Sequence, residues 1–165
     1  MAESFSFDVV SDFDRQELVN TLDQVKREIS QRYDLKGTDT LVDLDKENIF
    51  IITNSELTLN AVNDIIRQKA IKRNLSLKIF DYGEIEMVSG NRIKQTILLK
   101  QGIKQEIAKK ISKNIRDKIK KINVSINGET LRVASKSKND LQLAIKLVSE
   151  LEESLNIPLK ANNFR

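Results

Sequence analysis

The chain has 165 residues, 39% of them hydrophobic, and contains neither cysteine nor histidine. That length supports one compact domain or two small ones. The missing cysteine excludes disulfides, thiolate nucleophiles and sulfur-ligated metals, and the missing histidine removes the side chain that titrates near neutrality, which excludes most hydrolase arrangements.

The net charge of +4 hides an asymmetry, because residues 1–90 hold 11 Lys and Arg against 17 Asp and Glu while residues 91–165 hold 17 against 7. Such a basic second half predicts an anionic partner. No apolar run approaches the roughly 20 residues that cross a bilayer, and Met1-Ala2-Glu3-Ser4-Phe5 lacks the basic start and apolar stretch of a secretory leader. The expectation is a soluble, cytoplasmic protein without membrane attachment.

In chain order, Phe5, Phe7 and Val9 alternate as in a strand. Asp12 or Asp14 then caps a helix whose stripe is Leu18, Leu22, Val25 and Ile29, running to about Arg32. Thr40–Leu44 and Ile49–Ile52 read as a hairpin turning at Asp45–Asn48. A helix follows from about Glu56 to Arg73, and Leu77, Ile79 and Ile85 suggest another strand. The second half repeats the order: strand Ile93–Leu99, helix Ile103–Lys120, a hairpin of Ile122–Ile126 and Leu131–Ala134 joined by Asn127-Gly128, helix Asp140 to about Ser154, and a short strand after Pro158.

An offset of 82 residues places Val42 on Val124, Leu44 on Ile126, Ile49 on Leu131, Ile51 on Val133, Ser55 on Ser137 and Leu59 on Leu141 without a gap. The chain is therefore read as α+β, an internal duplication of a ferredoxin-like βαββαβ unit. Residues 1–90 form the first repeat and 91–165 the second, each an antiparallel sheet with helices on one face and the other face open to a partner.

Charge concentrates between Lys100 and Lys121, where nine basic residues meet only Glu106 and Asp117. Ile103, Ile107, Ile111, Ile115 and Ile119 form one stripe of the helix, and Lys109, Lys113, Arg116 and Lys120 fall opposite, either as a solvated face or as a phosphate-binding one. Arg32-Tyr33-Asp34-Leu35-Lys36-Gly37 ends a helix with an aromatic between cations, so Tyr33 is a base-stacking platform or packed core. Arg132 and the run Ser135-Lys136-Ser137-Lys138-Asn139-Asp140 enter a helix N-terminus suited to an anion, although Ser137 or Asn139 also serves as a cap.

Walker and Gly-x-Gly-x-x-Gly loops are absent, as is an aromatic string for stacking several RNA bases. Asp8, Asp12 and Asp14 have metal-binding chemistry in principle, but their place before a helix favours capping. No acid/base or nucleophile constellation can be assembled, so neither catalysis nor a cofactor is expected.

Five ordered segments resemble the YajQ family of bacterial nucleotide-binding proteins: Ser6-Phe7-Asp8-Val9-Val10-Ser11-Asp12-Phe13-Asp14; Arg32–Gly37; Lys100-Gln101-Gly102-Ile103 with Lys109-Lys110-Ile111; Arg132-Val133 with Lys136–Gln142; and Asn163-Phe164-Arg165. The resemblance implies two ferredoxin-like domains that exchange their N-terminal strands, and nucleotide binding without catalysis. Leu35 stands where members often have Phe, and Lys138 where Arg is common. The expected ligand is a small or cyclic nucleotide sensed by a regulator, with phosphates meeting Arg32, Lys36 and the basic second half (Lys100, Lys109, Lys113, Arg116, Lys120, Arg132, Lys136, Lys138 and Arg165) and the base meeting Tyr33 or Phe164. The alternative is tRNA or another structured RNA, or a chaperone-like role, on the basic helix 102–121.

Overall fold

The computed structural model describes residues 4–165. The elements are β1 (Phe5–Val10), α1 (Arg15–Gln31), β2 (Leu41–Leu44), β3 (Asn48–Thr53), α2 (Glu56–Lys72), β4 (Phe80–Val88), β5 (Arg92–Leu99), α3 (Gln105–Lys118), β6 (Asn123–Asn127), β7 (Thr130–Ser135), α4 (Lys138–Leu155) and β8 (Lys160–Asn162). They fall into two compact units. The central unit is Phe13–Leu99, and the terminal unit joins β1, through Asp12, to Lys100–Arg165.

The central unit has the sheet order β2-β3-β5-β4 and the terminal unit β6-β7-β1-β8, with every pairing antiparallel. Both are the ferredoxin-like arrangement, and in both the third position is filled by a strand from the opposite repeat. β1 lies between β7 and β8, while β5 lies between β3 and β4. The N-terminal strands of the two repeats are thus exchanged. The repeat boundary at residue 90 falls inside the turn joining β4 to β5, so the sequence repeats 1–90 and 91–165 are not the compact units. Exchange also redistributes charge: the terminal unit, counted from residue 1, holds 15 Lys and Arg against 10 Asp and Glu, and the central unit 13 against 14.

Local chemistry repeats as well. Ser55 accepts a hydrogen bond from the Thr58 N–H at 3.2 Å and Ser137 from the Asp140 N–H at 3.2 Å, so the residues paired by the 82-residue offset are both N-caps. Asp14 caps α1 through the Glu17 N–H, also at 3.2 Å. Behind the caps, Leu18, Leu22, Val25, Leu59, Val62, Ile65 and Ile66 bury against Ile49, Ile51 and Ile97 in the central unit. In the terminal unit Ile111, Ile115, Leu141, Ala144 and Val148 bury against Phe7, Val9, Leu131 and Val133.

Three expectations change. Leu77–Ile79 is a 3-10 turn rather than a strand, because the Ser76 hydroxyl caps it by accepting from the Lys78 N–H. α4 starts at Lys138, ahead of the expected Asp140, because Ser137 and not Asn139 is its cap. α3 is shorter than 103–120: Ile103 and Ile119 are buried but outside the helix, and Lys120 lies in the turn after it.

Exchange makes a direct prediction for fragments. Phe13–Leu99 contains all four strands of its own sheet, whereas Lys100–Arg165 lacks the fully buried Phe7 and Val9, worth roughly 1.5–3 kcal/mol each. Expressed separately, Phe13–Leu99 should give a cooperative urea transition and dispersed amide signals, and Lys100–Arg165 should give neither.

Candidate functional site

Arg32 ends α1, its N–H bonded to the Glu28 carbonyl at 2.8 Å. Its guanidinium chelates Asp34 through Nε and Nη2, at 2.8 and 2.9 Å, and reaches Glu28 at 3.5 Å. The hydrogen bonds to Asp34 raise the Arg32 pKa and lower that of Asp34. Arg32 is therefore matched with carboxylates in this structure. Leu35, at 3% exposure, is the core anchor of this loop, and Tyr33, at 94%, is not packed at all.

Gly37, with φ +78, turns the chain into a cleft of about 290 Å³ lined by Lys26, Ser30, Leu35, Lys36, Asp39 and Thr40. Arg92 on β5 fastens this loop, donating to the carbonyls of Thr38 (3.2 Å), Asp39 and Ile52. Sequence reading missed Arg92. It lies far from the loop in the chain, and only the β3–β5 pairing brings it there.

The remaining expected residues lie in the terminal unit, in separate places. Lys109, Lys113 and Arg116 are exposed on α3, opposite the buried Ala108, Ile111 and Ile115, and none is in an ion pair among the described residues. Arg116 donates only to the Ser112 carbonyl of its own helix, at 3.4 Å. Lys100 donates to the Asn156 carbonyl at 2.8 Å, a tether at the end of α4. Lys138 sits over the Phe5 ring, 4.8 Å from its centroid.

At the start of α4 lies a cleft of about 460 Å³ lined by Ser4, Lys121, Asn123, Ala134, Ser135, Lys136, Ser137 and Asp140. Ser137 caps the helix, and Ser135 accepts from the Ser137 N–H at 3.1 Å. Lys121 and Lys136 carry no ion pair among the described residues. Asn123 escaped sequence reading, and Lys121 was read only as the end of the basic helix 102–121, because they belong to the strand and turn after α3. They meet Lys136 only when β6 pairs with β7.

On the sheet face away from the helices, Asp8 stands opposite Arg132 in the β1–β7 ladder. Asp8 is not a helix cap. It accepts from the Asn163 side chain at 2.8 Å and from Arg132 Nε at 3.1 Å, and these bonds, Asn163 first, hold its pKa below the usual value. Asn163 adopts φ +52, Arg165 exchanges backbone hydrogen bonds with Ser6, and the Phe164 ring lies 5.9 Å from that of Phe7. Arg132, Phe164 and Arg165 thus help seat the C-terminal residues on β1.

Residues 5–165 match the family model described as nucleotide-binding protein YajQ-like. The chain belongs to this family. A protein of Prochlorococcus marinus (strain AS9601) named as a nucleotide-binding protein is 98% identical over 165 residues, covering 100% of both chains. One named likewise from Prochlorococcus marinus subsp. pastoris is 81% identical, and one from Synechococcus sp. (strain CC9605) 56%, each covering 100% of both chains. Within this YajQ-like fold no helix of the described residues is long and apolar enough to cross a membrane.

Asp8 gives a pH test. Its pKa is lowered on folding, so its contribution is present above the unfolded carboxylate pKa of about 3.9 and is lost as pH falls through the folded value. Urea denaturation at pH 7 should show Asp8→Ala less stable by about 1 kcal/mol, and the difference should vanish at the acid end of that window.

Proposed function

We propose that this protein is a non-catalytic binder of a small nucleotide, a mononucleotide or cyclic dinucleotide, whose phosphates lodge in the cleft at the start of α4. The observation that carries this reading is the presence of two lysines without an ion pair among the described residues, Lys121 and Lys136, in one concavity of about 460 Å³ with the amide and hydroxyls of Asn123, Ser135 and Ser137. Pockets of this size take small ligands, and unpaired ammonium groups at the positive end of a helix suit phosphate oxygens. Membership of a nucleotide-binding family and the names of the relatives support the ligand class. A non-catalytic role fits a chain in which the shifted carboxylates, Asp8, Asp34 and Asp45, are all held in the charged form rather than moved toward neutrality for proton transfer, and a regulator that senses the nucleotide is one such role.

RNA binding is the second reading, favoured by α3. In the central unit Arg32, Lys69 and Arg73 are ion-paired with acids, whereas Lys109, Lys110, Lys113 and Arg116 of α3 have no such partners among the described residues. A polyanion would relieve their repulsion and make binding steeply salt-dependent.

Calorimetric titration with GTP, ATP, cyclic di-GMP and a short structured RNA separates the two. Lys121→Glu with Lys136→Glu should weaken binding of the preferred nucleotide at least about tenfold, and Lys113→Glu with Arg116→Glu should leave it within about twofold. If RNA is the ligand, the α3 pair should instead flatten the salt dependence, by roughly 1.5 in slope. Loss of nucleotide binding in Lys36→Ala alone would move the site to the Tyr33 loop.

A further inference from the structure

β4 forms an edge of the central sheet, paired with β5 on one side only. Residues 81–87 are exposed, so beyond the buried Phe80 the strand is not held in place by burial. A buried polar relay fastens it instead. The Gln95 side chain donates to the Gly83 carbonyl at 3.0 Å, and Asn63 on α2 donates to Gln95 at 2.9 Å. The relay is built around a bulge between Tyr82 and Ile85, and a Cβ on Gly83 would meet the Thr96 carbonyl oxygen at 2.6 Å. Two nearly inaccessible amides are thus committed to fastening a bulged strand that gives only Phe80 to the core.

The side chains on this strand sort by chemistry. Tyr82, Ile85 and Met87 share the face of Ile97, Gln95 and Ile93, with Ile85 40% and Met87 74% exposed. Glu86 faces the other way opposite Lys94, with Asp81 and Glu84 also exposed. The two cations on hand are engaged elsewhere: the Lys94 ammonium lies over the Phe50 ring at 4.8 Å, and Arg67 lies over Tyr82 while paired with Asp64. Neither forms an ion pair with Glu84 or Glu86.

We propose that β4 is a strand-addition site for an extended basic segment of a partner protein, with Lys or Arg facing Glu84 and Glu86 and aliphatic side chains facing Ile85 and Met87. Backbone pairing would supply affinity and the alternation would supply selectivity. A second copy of this chain is a poor occupant: antiparallel β4–β4 pairing centred on Ile85 sets Glu84 against Glu86 in both directions, and like charges directly opposite are destabilising. Acidic residues on an edge also serve to keep it unpaired, and the two roles differ in how the edge answers a complementary strand. The inference concerns the central unit and is independent of the nucleotide reading.

The probe is a synthetic heptapeptide of alternating Lys and Val, with its Glu–Val counterpart as control, added to the full chain and followed by amide NMR and hydrogen exchange. The Lys–Val peptide should protect amides of residues 84–88, and the Glu–Val peptide should not. Glu84→Lys with Glu86→Lys should weaken the peptide at least about tenfold, and the exposed Met87→Ser should weaken it by a few-fold. Absence of protection, protection elsewhere, equal response to both peptides, indifference to the charge reversal, or a dimer formed through β4 would each overturn the proposal.

Discussion

The seating of two strands, β1 and β5, governs this fold. Each is flanked on both edges, so its N–H and C=O groups find partners in the sheet on either side. Each also contributes fully buried side chains, Phe7 and Val9 in one unit and Ile97 in the other. Because each comes from the opposite half of the chain, neither sequence repeat holds a complete sheet, and the compact units are not the sequence repeats. The α4 cleft needs this arrangement, since Ser135 and Ala134 on β7 are positioned by pairing with Phe5 and Ser6 of β1.

Charge follows from the same topology with a different result in each unit. In the central unit, acids and bases are nearly balanced and many cations are matched: Arg32 with Asp34 and Glu28, Lys69 with Glu28, Arg73 with Glu17. In the terminal unit Lys104 pairs with Glu129, but among the described residues Lys109, Lys110, Lys113 and Arg116 of α3 and Lys121 and Lys136 of the α4 cleft have no acidic partner. Exposed ion pairs contribute little to stability, so the contrast bears on recognition. Unmatched positive charge attracts anions, and its grouping in a concavity distinguishes the cleft from the open face of α3.

Much of the fold was legible because periodicity and caps report local physics. The 82-residue offset brought Ser55 onto Ser137, and both are caps with the same hydrogen bond. The isoleucine stripe of α3 was legible for the same reason, although its ends were not: Ile103 and Ile119 stay buried after the helix has ended. The strand exchange was available from the family resemblance and not from any residue pattern, since a strand's sequence does not say which sheet it joins. The site was less legible because it depends on pairing between distant segments. Tyr33 and Leu35 show the difficulty: in the same loop, two residues apart, one is open to solvent and the other is core. Arg92, Lys121 and Asn123 gain their surroundings only from strand register.

The most direct measurement for the proposed function is amide shift mapping of the wild-type chain during titration with the nucleotide that binds best. The account predicts that the largest changes fall on residues 121–123 and 134–140, with little change in the Arg32–Gly37 loop. Changes confined to that loop, or spread along α3 without reaching the start of α4, would contradict it.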